Sequence, residues 1–259
     1  MTNRIKTGLF LFCALLLPLP ARAGEVLDHI HAAGQLRVGT TGDYTPFSLR
    51  EPDGAYVGAD TEMAQRLAAT LGVAIVFVPT TWKELSRDYA AARFDMAVGG
   101  ITKLPAREAL GPFARTVHVD GKRPIARCAD RDRYVSLATL NRPDVHLVVN
   151  PGGSNEAFAR SNLGAAQLTV HGDNATVFDE IAAGRADAMV TDGIEVDRQS
   201  FVHAGVLCPA HVAAPFTHDE KAYWLRPDAE FLEFTNAWLD AEIVSGAWQR
   251  TLDAALARH

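Results

Sequence analysis

The chain has 259 residues, 48% of them hydrophobic, and its 31 acidic against 25 basic side chains leave a formal net charge of −6. That balance argues against a nucleic-acid or other polyanionic partner, and the length suits one large domain or two ordinary lobes. With three cysteines and no His/Cys spacing of the kind that holds zinc, no metal site is in view.

Arg4 and Lys6 precede a short apolar run interrupted by Pro18 and Pro20, and "ARA" ends at Ala23 in the small-x-small pattern of signal-peptidase sites. We read residues 1–23 as a secretory signal peptide, because the run is too short and Pro-interrupted for an anchor. The mature chain is then expected to be exported, with no membrane attachment. Cys13 leaves with the signal. Cys128 and Cys208 remain in an oxidising compartment that permits a disulfide, but chain order alone leaves their pairing open.

"EVLDHIHAAG" reads as a short helix ending at Gly34, which puts His29 and His31 on a solvated face. "QLRVGT" follows as a strand, then "TGDYTPFSL" as a loop. In "DTEMAQRLAATLG", Met63, Leu67 and Leu71 share one helical face, with Asp60 expected as N-cap and Gly72 as terminator. "VAIVFVP" reads as a buried strand, "WKELSRDYAAARF" as a helix with Trp82, Leu85 and Tyr89 on one side, and "FDMAVGGIT" as a strand.

The same alternation restarts near Pro124. Strand "VHLVVN", a helix from Ser154, strand "AQLTVHG", helix "NATVFDEIAAG", strand "ADAMVTDG" and helix "IEVDRQSFVHAG" follow in order. After "KAYWLRP" a helical tail carries Phe231, Phe234, Trp238, Ile243 and Trp248 at spacings that suit packing. Alternation of this kind predicts α/β lobes with mostly parallel sheets flanked by helices and a cleft between them. We expect lobe 1 over 24–123 plus 219–259, and lobe 2 over 124–218.

In open α/β sheets, ligands bind beyond the carboxyl ends of strands, so the loops there are the place to look. After the first strand, Tyr44 or Phe47 supplies a wall for a ring, or both are buried in a turn set by Gly42 and Pro46. Trp82 turns its indole either to the cleft or to the core. Gly99 and Gly100 allow close approach of a ligand to the backbone, followed by Thr102 and by Arg107, whose fork matches a carboxylate. Gly152 and Gly153 free a turn in which Ser154 can cap the next helix. The first N–H groups of that helix then favour a small carboxylate. Asp192 can pair with a ligand ammonium, and Glu195 sits one turn later. Glu195 is either a favourable dipole partner or, if buried, a general acid. Lys221 either reaches the ligand or holds the hinge through an ion pair.

These words, in order, carry a resemblance: "LRVGTTGDYTPFS", "FVPTTW", "RFDMAVGGI", "VNPGGSNEAFARSNL", "HGDNATVFDEI", "ADAMVTDGIE" and "EKAYWL". Over its mature length the chain resembles the periplasmic amino-acid-binding proteins of ABC importers, the type II two-lobed receptors. Within them it is most similar to the cyclohexadienyl dehydratases, to which the Asn150–Gly153 turn and the Asp192/Glu195 pair point. The resemblance implies conversion of prephenate to phenylpyruvate and of arogenate to phenylalanine, without a cofactor. It puts the general acid on Glu195. It puts Trp82, Thr102, Arg107 and Asn150 in the binding cleft, Ser154 where the nearest pattern keeps a hydroxyl, and Asp192 where receptors meet an α-amino group. Tyr44, Gly153 and Lys221 join the candidate substrate-binding residues from their own strand-end positions. A non-catalytic amino-acid receptor is the alternative. The segment around Arg107 is looser than the family pattern.

Overall fold

A computed structural model describes residues 24–258, so the expected signal peptide and Cys13 lie outside the described residues. Helix α1 (Glu25–Ala33) stops at Gly34, whose left-handed backbone no β-carbon opposes. Its two histidines are exposed. Strand β1 (Gln35–Thr40) follows, and then β2 (Asp43–Tyr44), β3 (Ser48–Arg50) and β4 (Tyr56–Val57). The last three form a small antiparallel sheet where the sequence suggested only a loop, because chain reversals after Tyr44 and Glu51 bring short segments into register.

Helix α2 (Ala59–Leu71) buries Met63, Leu67 and Leu71 as their spacing predicts. Its N-cap, however, is Gly58 rather than Asp60. Asp60 faces inward from the first turn and accepts the N–H groups of Gly99 and Gly100 at 3.0 and 2.7 Å, so its carboxylate holds a loop instead of a helix end. Strand β5 (Ala74–Pro79) corrects another expectation. It alternates between exposed and half-buried residues because it is an edge strand paired only with β1.

Helix α3 (Leu85–Ala90), β6 (Met96–Ala97), α4 (Pro105–Glu108) and β7 (Phe113–Asp120) lead to a single linking residue, Gly121. Beyond it come β8 (Lys122–Arg127), α5 (Leu137–Leu140), β9 (His146–Val149), α6 (Ser154–Asn162) and β10 (Gln167–Val170). Helix α7 (Val177–Ala182), β11 (Ala188–Asp192), α8 (Gly193–Val202) and β12 (Leu207–Pro209) complete this part. Strand β13 (Asp219–Leu225) returns to the first sheet, followed by α9 (Ala229–Val244) and α10 (Ala247–Leu256). The expected single tail is thus two helices, parted at Gly246 with φ 73°. Phe231, Trp238 and Trp248 pack into the core as expected, whereas Ile243 is 41% exposed on the outer face of α9.

The two five-stranded sheets share one plan. The first runs β5-β1-β6-β13-β7 and the second β10-β9-β11-β8-β12. In each, the first three strands are parallel, the fourth runs antiparallel to them, and the fifth pairs antiparallel with the fourth. Crossover helices join the parallel strands, and one reversed strand, β13 in the first sheet and β8 in the second, makes both antiparallel pairings. The register of the second sheet sets Lys122 directly opposite Asp192. That pairing brings a cation and an anion to the strand ends that face the other lobe.

Cys128 and Cys208 are joined in a disulfide, answering the question the sequence left open. It ties the end of β8 to β12 and closes a loop with a sequence separation of 80. Cross-linking a loop of this size mainly constrains the unfolded chain. Replacing both cysteines by serine should therefore lower unfolding free energy by about 2–4 kcal/mol in urea melts, with the fold retained.

Candidate active site

The site lies where the two sheets meet, and Asp192 is its centre. Asp192 ends β11 and is only 3% exposed. Its Oδ1 accepts from Lys122 Nζ at 2.6 Å. Its Oδ2 accepts from Lys221 Nζ at 2.6 Å and from the Tyr44 hydroxyl at 2.5 Å. Burial opposes ionisation, but Lys122 and Lys221 overcome it and hold the Asp192 carboxyl far below the usual carboxylate range. Burial and the same carboxylate push the Tyr44 phenol well up, so it remains a donor. In the closed form the Asp192 oxygens are engaged by two ammonium groups and a phenol of the chain itself.

Lys122 was not singled out by any motif, since only strand register gives it away. Its ammonium spends its three donors on Asp192, on Ser154 Oγ at 2.9 Å and on Asn155 Oδ1. Ser154 was expected to cap α6. Gly153 is the cap residue instead, and the Ser154 hydroxyl points to Lys122. Lys221 donates to Thr102 Oγ1 at 3.0 Å as well as to Asp192, and sits 5.6 Å from the centre of the Tyr44 ring. It is therefore an ion-pair partner across the lobes, one of the two readings its position allowed.

Glu195 lies in the first turn of α8 and is 5% exposed. Thr191 Oγ1 donates to its Oε2 and itself accepts from Asn155 Nδ2 at 2.9 Å. Asn155 also donates to Asn150 Oδ1 at 3.2 Å. A hydrogen-bonded line thus runs from Lys122 through Asn155 and Thr191 to one oxygen of Glu195. Burial raises the Glu195 carboxyl to about 7; the Thr191 hydroxyl opposes this, and the Asp192 charge adds to it. One acid is locked as an anion beside another that holds its proton near neutrality. Environments that push two carboxyls apart in this way are what acid–base chemistry requires.

Tyr44, Trp82, Thr102, Asn150, Gly153, Ser154, Asp192 and Glu195 line one cavity, joined by Gly100, which the sequence marked for close approach, by Asn155, and by Asn174, which the sequence reading passed over. Lys221 stands just behind the wall, on Thr102 and Asp192. Arg107 is also brought close but does not line the cavity. It is 6% exposed and donates through Nη1 to Thr102 O at 2.9 Å. Burial lowers it to about 10 against the pull of Asp192. Trp82 faces the cleft and gives its indole N–H to Asp43 at 3.0 Å.

Gly100 is required by this packing. Its φ is 71°, and a β-carbon there would press on the Phe47 and Tyr44 rings. Across the cleft, Gly152 meets the Lys83 backbone, and Asn174 Nδ2 donates to Asp43 O at 2.8 Å. The lobes are closed, and about 20 Å³ of free interior remains, close to the room one water needs. A larger ligand enters only as the lobes part. Among the described residues no three His, Cys, Asp or Glu side chains gather as a metal would require. Among the described residues no helix is long and apolar enough to cross a membrane.

Two lobes closing on a buried, charge-lined cavity define a solute-binding class of protein. The chain belongs to the bacterial extracellular solute-binding proteins, family 3, whose model matches residues 36–255. It is 44% identical to a cyclohexadienyl dehydratase of Pseudomonas aeruginosa strain PAO1, over 93% of this chain and 90% of that one. It is 26% identical to an L-cystine-binding protein of Escherichia coli K12, over 64% and 62% respectively. Among solved structures, an ancestral amino-acid-binding protein described as a precursor of cyclohexadienyl dehydratase matches with a TM-score of 0.81 and 32% identity, over 90% of this chain and all of that one. An ancestral cyclohexadienyl dehydratase matches with a TM-score of 0.56 and 44% identity, over 92% and 98%.

The Glu195 proton is held more tightly in the folded than in the unfolded chain. Its contribution to stability is full below the ordinary value of 4.5 and is lost as pH rises through about 7. In urea unfolding at pH 5 and pH 8, Glu195→Gln should therefore gain on wild type at the higher pH by on the order of 2–3 kcal/mol. A difference that does not change with pH would mean that Glu195 is already ionised in the closed form.

Proposed function

We propose that the chain is a periplasmic cyclohexadienyl dehydratase, a carbon–oxygen lyase that converts prephenate to phenylpyruvate and arogenate to phenylalanine. The observation that carries the reading is Glu195, a buried carboxyl raised to about 7 and facing a closed cavity. The 44% identical relative supports it.

The substrate is a ring about to become aromatic, so the protein has two tasks. It must hold the carboxylates in place, and it must give one proton to the departing hydroxyl. Thr191 occupies Glu195 Oε2, which leaves Oε1 as the oxygen without a protein partner among the described residues. We assign the delivered proton to it. General acid catalysis of this kind contributes about two to four orders of magnitude, and fixing the substrate in a reactive pose contributes further.

Charge favours an anionic guest. Lys122 and Lys221 face one locked carboxylate, Asp192, so with Glu195 protonated the cluster carries a surplus positive charge. Buried Arg107 adds to it. At the other wall, the N–H groups that open α6 after Gly153 meet no protein acceptor among the described residues and suit a carboxylate. Both oxygens of Asp192 are already engaged, which weighs against the amino-acid receptor, where that carboxylate would meet an ammonium.

Purified protein mixed with prephenate at pH 6 should form phenylpyruvate, followed by its ultraviolet absorbance. The rate should fall as pH rises through about 7, where Glu195 gives up its proton. Glu195→Gln should cost about two to four orders of magnitude in kcat while substrate still protects the fold against heat. A folded wild type that binds an amino acid and leaves prephenate intact would overturn the reading in favour of the receptor.

A further inference from the structure

The general acid of the proposed reaction ends each turnover without its proton. The ring C–O bond breaks and the hydroxyl leaves as water, carrying the Glu195 proton. The C–C bond to the ring carboxylate breaks, its electron pair completes the aromatic ring, and carbon dioxide leaves. Glu195 remains as a carboxylate, so one proton from solvent must reach it before the next cycle. This inference rests on the dehydratase reading.

Glu195 lines two cavities. One is the closed cavity between the lobes, and the other is an outer recess of about 370 Å³ on the far side of the acid. Asn174 is shared by both, and its bond to Asp43 O at 2.8 Å closes the partition between them. Its carbonyl Oδ1 is buried there without a protein partner among the described residues.

One stripe of α8 floors the recess. Glu195, Gln199 and His203 follow one another at i, i+4 and i+8, with Arg198 and Val202 alongside. Eight residues of helix span about 12 Å, so the stripe leads from the buried acid to the recess mouth. There His203 Nε2 lies 3.5 Å from Asp179 Oδ1, with side-chain exposures of 21% and 60%. Imidazole exchanges protons readily in the neutral range. The Arg198 guanidinium is held by Arg258 O at 3.1 Å. The Asp43 carboxylate is engaged by the Trp82 indole. The recess has room for several waters.

We propose that this recess is the proton-return route of the catalytic acid. His203, steadied by Asp179, takes a proton from solvent, and recess water relays it along α8 to the Glu195 carboxylate. The substrate cavity stays shut meanwhile, so Glu195 regains its proton before the lobes part to release the aromatic product.

Two variants outside the substrate cavity test this, each compared with wild type by rapid quench at pH 6 and in steady state. Val202→Trp fills the recess, and His203→Gln keeps a hydrogen-bonding side chain but cannot carry the proton. Expected is an unchanged first turnover, which uses the proton already on Glu195. Later turnovers should slow about tenfold, giving a burst of one product per site, and imidazole buffer should restore the His203→Gln rate. Equal first and later rates in both variants, with no response to imidazole, would overturn the proposal, because the proton then returns through the open cleft. Absence of turnover in wild type would instead remove the dehydratase reading itself.

Discussion

Asp192 carries its charge where water cannot reach it, and the two lobes meet around that fact. A lone buried carboxylate would cost several kcal/mol, so it must be accompanied. Lys122 accompanies it from the neighbouring strand of its own lobe, while Lys221 and Tyr44 arrive from the other. The same contacts therefore neutralise a buried charge and fasten the cleft. Lys122 and Asp192 lie opposite each other on adjacent strands of one sheet, so this ion pair does not draw on the other lobe.

Closure also sets the character of Glu195. The carboxyl is raised first of all by burial, and burial here is a property of the shut lobes. The polar line from Lys122 through Asn155 and Thr191 limits the rise by holding one of its oxygens. The acid is thus tuned by two opposing causes, dry surroundings and one hydroxyl donor. The hydroxyl donor is in turn held by Asn155, which also donates to Asn150.

Much of the architecture was legible in the sequence, because alternating strand and helix patterns, bounded by glycine, report local periodicity. Glu195 and Asp192 were legible too, as two acids one turn apart at the end of a buried strand. Lys122 was not. Nothing in "VDGKRP" sets it apart, and its role follows only from the register that places it opposite Asp192. Asp60 was misassigned as a cap for a similar reason: an Asp at a helix start satisfies the local rule, while its real partners, the N–H groups of Gly99 and Gly100, lie far away in sequence. The exposure of β5 likewise depends on its place at the sheet edge, which composition does not encode. The position of Arg107 beneath Thr102 depends on how a short loop folds back, and the guanidinium pattern alone pointed toward the cleft.

The strand order has a consequence for how the chain comes to be folded. In the first sheet β13 lies between β6 and β7, although more than ninety residues separate it from either in sequence. The second sheet is built wholly from strands between Lys122 and Pro209. An emerging chain can therefore complete the second sheet early, whereas the first keeps a gap in its middle until the segment up to Leu225 is available. Long-range pairing of that kind is slow to form. The first lobe is consequently the late-maturing half, and the binding cleft exists only once the last quarter of the chain has been threaded back into it.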